Sequence, residues 1–254
     1  MIGFWLFEQY YDPASQRKNS PQDRWLVDDY LPSTTTGELV RHTHFTLSYS
    51  EAHEQAEWVA YALKPEQLTQ DNRKRPFFIE DPKVSTGSAD WRNYKGSGFD
   101  RGHLCPAGDR RFSKAAYDET FYTSNISPQD SDFNAGIWNR LEHQVRLWCK
   151  RHGDLIVVTG GVLEHGLKEI GAEGVDVPKA FYKIVLRRKG EGAEALAFLI
   201  PGVESTRPLS DFLVSVDTLE VLTGLDFFEK RPQGWQQQVE SRVASSLWDT
   251  KSRP

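Results

Sequence analysis

The apolar positions of this chain fall into short runs between turn-forming clusters, and their spacing changes along its length. Residues 12–36 are polar and proline-bearing, ending in Pro32-Ser33-Thr34-Thr35-Thr36, and predict a loosely structured lead-in. Alternation then begins. His44-Phe45-Thr46-Leu47-Ser48-Tyr49 has period two, and Trp58-Val59-Ala60-Tyr61-Ala62-Leu63 is a β-prone run, so both are expected as strands. Residues 64–98 hold Pro76, Pro82, Gly87, Gly96 and Gly98 and predict a long irregular stretch, which in a compact domain is often functional. Ser113 can cap a helix through Ala115, Ala116 and Tyr117. A second helix, from about 134 to 150, carries Ile137, Leu141, Val145 and Trp148 on one face, and Gly153 stops it. Residues 154–160 read as a buried strand, 179–186 and 195–200 as two more, 208–213 and 217–224 as short helices, and 235–248 as a last helix. Strands and helices mix without a regular βαβ rhythm, which predicts an α+β fold. The expected organisation is a lead-in over 1–38 and one domain over 39–254.

Composition adds two constraints. The formal net charge is −5, which argues against a chain that binds polyanions over its whole surface. Residues 73–151 nevertheless hold 14 Lys/Arg against 10 Asp/Glu, a net of +4, which leaves −9 for the remainder. The middle of the chain can therefore meet a polyanion while the whole stays acidic. The two cysteines, Cys105 and Cys149, do not make a disulfide scaffold, and without a CxxC pair a thiolate zinc site is not expected. Two buried free thiols are the expectation, and one disulfide is the alternative. Met1-Ile2-Gly3-Phe4-Trp5-Leu6-Phe7 is apolar and is followed by Glu8, Tyr10 and Tyr11. The run lacks the basic flank and cleavage site of a signal peptide. Its aromatic belt matches the end of a membrane anchor and suggests further apolar sequence before Met1; a short packed strand or helix is the competing reading.

The densest group of reactive residues lies between 96 and 146. Asp100-Arg101-Gly102-His103 places a histidine, ordinary pKa near 6.5, where a general base would be useful at neutral pH. On a strand Arg101 and His103 share a face, and Gly102 leaves room for close backbone approach. Asn134 offers a hard amide oxygen of the kind that suits Mg²⁺. Glu142 lies eight residues beyond it, about 12 Å along a regular helix. One direct amide ligand, with the carboxylate acting through bound water, is then the simpler arrangement. Glu142 and Arg146 form an i,i+4 pair. Taken singly, each of these residues also has a plain structural use: Asn134 as a helix cap, Glu142 with Arg146 as a surface ion pair, Asn125 in a turn.

Three motifs in order change that balance: Asp100 to His103, Ser124-Asn125-Ile126-Ser127-Pro128-Gln129, and Asn134 through Trp138 to Leu141-Glu142. The chain in this region resembles the DNA/RNA non-specific endonuclease family, a group of secreted bacterial and mitochondrial nucleases. Trp58-Val59-Ala60-Tyr61 and Tyr94-Lys95-Gly96-Ser97-Gly98-Phe99 extend the resemblance upstream. It implies a ββα-metal (His-Me finger) nuclease core within a mixed, largely antiparallel sheet domain. By that match His103 is the general base, Asn134 the metal ligand, Glu142 the holder of metal-bound water, and Asn125 a support for the site. Arg101 and Arg146 contact phosphate. A further phosphate-binding arginine of the family corresponds to Arg75, although the spacing around Arg73-Lys74-Arg75 departs from the family's pattern. The implied cofactor is Mg²⁺ or Mn²⁺, the implied partners are DNA and RNA with no dedicated protein partner, and the expected products carry 5′-phosphate and 3′-hydroxyl ends. The alternatives are a phosphodiesterase acting on small nucleotide substrates and a catalytically weak nucleic-acid-binding relative. A secreted, periplasmic or membrane-anchored bacterial location is expected.

Overall fold

A computed structural model describes residues 27–189, 192–244 and 246–248 of the chain. Its strands are β1 (Glu38–Arg41), β2 (Thr46–Ser50), β3 (Gln55–Leu63), β4 (Asp100–His103), β5 (Ile126–Gln129), β6 (Leu155–Gly161), β7 (Lys168–Ile170), β8 (Val175–Val177), β9 (Ala180–Lys189), β10 (Gly192–Pro201) and β11 (Leu213–Val214). Besides the single helical turn Ser131–Phe133, the α-helices are α1 (Lys114–Glu119), α2 (Asn139–His152), α3 (Val216–Thr223) and α4 (Gln233–Glu240). Seven strands form one sheet in the order β1-β2-β3-β6-β9-β10-β11, every neighbouring pair antiparallel. β4 and β5 pair separately, as do β7 and β8. The α+β expectation, with a largely antiparallel sheet, is what the structure shows.

The sheet is buried on both faces, and its central strands carry apolar side chains on both sides. On β3, Val59, Tyr61 and Leu63 face one core and Trp58 and Ala60 the other. β6 divides likewise, with Leu155 and Val157 on the first side and Ile156 and Val158 on the second. The first core is covered by α2 and the turn leading into it; the expected face of Ile137, Leu141, Val145 and Trp148 is at most 1% exposed. At roughly 2–3 kcal/mol for each such side chain, this face fixes how the helix lies on the sheet. The second core is covered by α3 and α4 together with Val27, Tyr30 and Leu31.

Several expectations are corrected. The described end of the lead-in is packed rather than loose: Trp58 Nε1 donates to the Ser33 carbonyl at 2.8 Å, and Thr35 Oγ1 bonds Glu57. The apolar run at the N-terminus lies outside the described residues, within which no helix is long and apolar enough to cross a membrane. The last helix ends at Glu240 rather than 248. Val239 sits in the second core and Trp248 in the first, against Trp148, so the chain must leave the helix to pass between them. Cys105 and Cys149 are free and buried.

Candidate active site

β4, β5 and the helical segment after β5 bring the three sequence motifs together. β4 pairs with β5 in the register Asp100↔Gln129, Arg101↔Pro128, Gly102↔Ser127 and His103↔Ile126. Period two then puts Arg101 and His103 on one face, and both meet the same ring: Arg101 lies 5.1 Å from the Phe78 centroid and His103 5.6 Å. Asp100 points the other way, toward the helix. Gly102 is needed for that packing, because a Cβ there would stand 2.2 Å from the Gln129 side chain.

His103 is held edge-on to Phe121 at 5.0 Å, and its Nε2 is buried with no hydrogen-bond partner among the described residues. Burial, reinforced by the Arg75 guanidinium, pushes its pKa down to about 3. The ring is therefore neutral at physiological pH, the form that can accept a proton. Arg75 lies over Phe78 and Phe121, and Arg101 over Phe78 and Trp91. The irregular stretch 64–98 thus supplies an aromatic and cationic wall to the histidine. It is pinned at Asp81, which accepts from His42 Nε2 at 2.7 Å and also binds the Ser124 hydroxyl, beside Asn125.

Asn125 is fully buried and its amide is fully used. Its Oδ1 accepts from Cys105 N at 2.8 Å, and its Nδ2 donates to the carbonyls of Cys105 and Thr120, both at 3.0 Å. It is a positioning residue that ties the end of β4 to the turn before β5. Asn125→Ala leaves three backbone groups without partners and should cost about 2–4 kcal/mol in urea unfolding.

Asn134 does not cap the helix. Asp130 does, accepting from Asp132 N and Phe133 N. Asn134 instead begins a wide π-helical turn, Asn134–Trp138, that precedes α2. Its Nδ2 donates to Asp100 Oδ2 at 3.0 Å, while Asp100 Oδ1 accepts from Ser131. A carboxylate only accepts, so the amide must turn its N–H₂ toward Asp100 and its oxygen away, which leaves a hard oxygen donor. An amide oxygen and a carboxylate are hard donors, which suit a hard divalent cation better than zinc. Among the described residues, the cluster of three carboxylate ligand atoms, Asp217, Glu220 and Glu240, lies instead on α3 and α4.

Glu142 and Arg146 are brought together, with Arg146 Nη1 3.9 Å from Glu142 Oε2, but Arg146 turns mainly to Asp109, at 2.8 Å. Burial works against the Arg146 charge; Asp109 and Glu142 outweigh it and raise its pKa. Asp109, 1% exposed, also accepts from Tyr61 at 3.0 Å. Removing Arg146 strands a buried carboxylate, so Arg146→Ala should lose about 3 kcal/mol of stability, read by denaturant titration, before any effect on substrate is considered. Burial pushes Glu142 up to about 7, opposed by Lys183 and Arg146 and assisted by Asp109.

Lys183 is the residue that sequence reading missed. It stands on the first-core face of β9 between Phe181 and Val185, fully buried, bonded to Thr159 at 3.0 Å and 4.6 Å from the Trp138 ring. Burial pulls it down to about 8 against the attraction of Glu142 and Asp109. Its signal was one lysine in the apolar run Phe181-Tyr182-Lys183-Ile184-Val185.

Comparison with known proteins bears on this arrangement. A sequence profile described as DNA/RNA non-specific endonuclease matches residues 10–234. Mitochondrial nuclease EXOG of Mus musculus is 38% identical over 235 residues, 85% of this chain and 64% of that protein, so the chain spans just under two thirds of its length. Mitochondrial endonuclease G of Bos taurus is 35% identical over 205 residues, 75% of this chain and 69% of that protein. A crystal structure of the EndoG/EndoGI complex, described as showing the mechanism of EndoG inhibition, superposes with a TM-score of 0.75 at 28% identity, covering 89% of this chain and 96% of that one. The expectation of a secreted, periplasmic or membrane-anchored bacterial location is overturned, since these relatives are named as mitochondrial.

Proposed function

Because the chain belongs to the DNA/RNA non-specific endonuclease family, we propose that it hydrolyses internal phosphodiester bonds of DNA and RNA with little base preference. The observation that carries this reading is the convergence of β4, β5 and the following helix on a neutral His103 and an Asn134 amide turned by Asp100. His103 Nε2 takes the proton of the attacking water. Arg101, flanked by Phe78 and Trp91, presents a fixed guanidinium to the phosphate. Arg75 lies beside the histidine, where it can add charge complementarity as charge builds on the phosphoryl oxygens. Asn134 directly, and Glu142 through water, would hold Mg²⁺ or Mn²⁺. Bound there, the ion would supply Lewis-acid stabilisation of the phosphoryl and leaving oxygens. Products with 5′-phosphate and 3′-hydroxyl ends follow from water attack with the 3′ oxygen leaving. Contacts to the backbone alone carry no sequence information, which accounts for weak base preference. The names of EXOG and endonuclease G support a mitochondrial setting.

Assays on structured RNA, duplex DNA and a dinucleotide diester test this reading. The polymers should be cut and the diester barely touched; preference for the diester would make the chain a small-substrate phosphodiesterase. Binding measured with the His103→Ala protein should weaken with salt with a shallow log–log slope, on the order of −2 to −4, because few phosphates are gripped. Arg101→Ala should reduce that slope by about one. An unchanged slope would place the Arg101 contact in the transition state or remove it from the phosphate altogether.

A further inference from the structure

The wide turn that carries Asn134 is held by a residue far away in sequence. At Gly136 the backbone leaves helical geometry, with φ −94° and ψ −109°. In an unbroken α-helix the N–H of Ile137 would bond the carbonyl of Phe133. Here Glu204, in the loop after β10, accepts from Ile137 N at 2.7 Å. A Cβ built on Gly136 would stand 1.8 Å from Glu204 Oε2 and 2.3 Å from its Cδ, so the carboxylate occupies the space that any other residue at 136 would need. The same loop is tied back one turn later by Arg140, which donates to the carbonyls of Ser205 at 3.2 Å and Arg207 at 2.6 Å.

We infer that Glu204 is a positioning residue for the cation site: its carboxylate wedges into the helix at Gly136, holds the Asn134–Trp138 turn open, and so sets the direction in which Asn134 presents its amide oxygen. This rests on the reading of Asn134 as the cation ligand. Asn134 is then constrained twice, through its side chain by Asp100 and through its backbone by Glu204. The role is separate from ordinary capping, because Asp130 already satisfies the first turn. Glycine at 136 and glutamate at 204 form one device, and losing either should release the same turn.

Direct titration of the purified chain with Mn²⁺, followed by the electron paramagnetic resonance of the free ion, tests this without relying on cleavage. Glu204→Ala should weaken Mn²⁺ binding about tenfold, within the 10–100-fold range seen when outer-shell partners are removed. Glu204→Gln keeps an acceptor oxygen and should bind within about twofold of wild type, by the same reasoning. Gly136→Ala should match Glu204→Ala, since its methyl group expels the carboxylate. The double variant should be no worse than either single one. Hydrogen exchange at the Ile137 amide should accelerate in Glu204→Ala while the thermal midpoint changes little. Unchanged Mn²⁺ affinity in Glu204→Ala, or fully additive losses in the double variant, would overturn the positioning role. Wild-type protein that binds no Mn²⁺, or Asn134→Ala that binds it normally, would instead overturn the reading of the site on which the inference rests.

Discussion

Replacing His103 with alanine should lower cleavage of DNA and RNA by about 10²–10⁴-fold, the range a general base contributes, and should leave a folded protein. The ring is a packing partner of Phe78 and Phe121, so some stability is lost, but the burial of His103 also carries a pH-dependent penalty that the substitution removes. Its folded pKa, about 3, lies below the ordinary 6.5, so the unfolded chain binds the proton more tightly. The His103 contribution to stability is therefore present above pH 6.5 and is lost as pH falls toward 3, amounting to roughly 2 kcal/mol at pH 5. Wild type minus His103→Ala, measured by urea unfolding at pH 7.5 and pH 5, should show that difference; equal stability gaps at both values would contradict it. The same depression predicts where activity fails in acid. An anionic phosphodiester bound beside Arg75 offsets the charge that helps hold His103 low. The acid limb of kcat/KM, which reports the free enzyme, should then lie well below 6.5, and that of kcat, which reports the complex, should lie higher.

The second large effect is at Asn134. Asn134→Ala removes the proposed direct ligand and should lose both cation affinity and rate, whereas Glu142→Ala, acting through water, should lose about 10–100-fold and recover in part at saturating cation. Asp100→Ala keeps the Asn134 side chain but frees its amide to rotate, and should fall between them. Titrating Mg²⁺ and Mn²⁺ against the three variants checks the order. Equal defects that no concentration of cation relieves would contradict this division of roles.

The residues of the site were legible in the sequence where chemistry and local periodicity coincide. Arg101 and His103 share a strand face because a period of two requires it, and the stripe from Ile137 to Trp148 marks the face that is buried in the first core. The Ser113 cap was legible for the same local reason, its hydroxyl accepting from Ala116 N at 3.0 Å. What escaped depends on partners distant in the chain. The helix from 134 to 150 read as continuous, and its π-helical opening is set by Glu204, which no local pattern connects to Gly136. The spacing of about 12 Å between Asn134 and Glu142 assumes a regular helix, and the backbone leaves that geometry at Gly136. Lys183 looked like one polar position in a buried strand because its meaning lies in Thr159 and Trp138 across the core. β1 and the β7–β8 pair were too short to show alternation. The family resemblance puts Arg146 at phosphate, but its ion pair with Asp109, a residue outside the three motifs, has no local signal in the sequence.

Covalently closed circular DNA offers the most direct test, because it has no ends and only an internal cut can change it. Incubated with the purified chain and Mg²⁺ or Mn²⁺, the supercoiled circle should convert to nicked and then linear forms with 5′-phosphate termini. EDTA should stop the conversion, and His103→Ala should slow it by at least about a hundredfold, the lower bound for loss of a general base. A circle left intact by wild-type protein, or cut equally fast with EDTA or by His103→Ala, would contradict a cation-dependent endonuclease that uses this histidine.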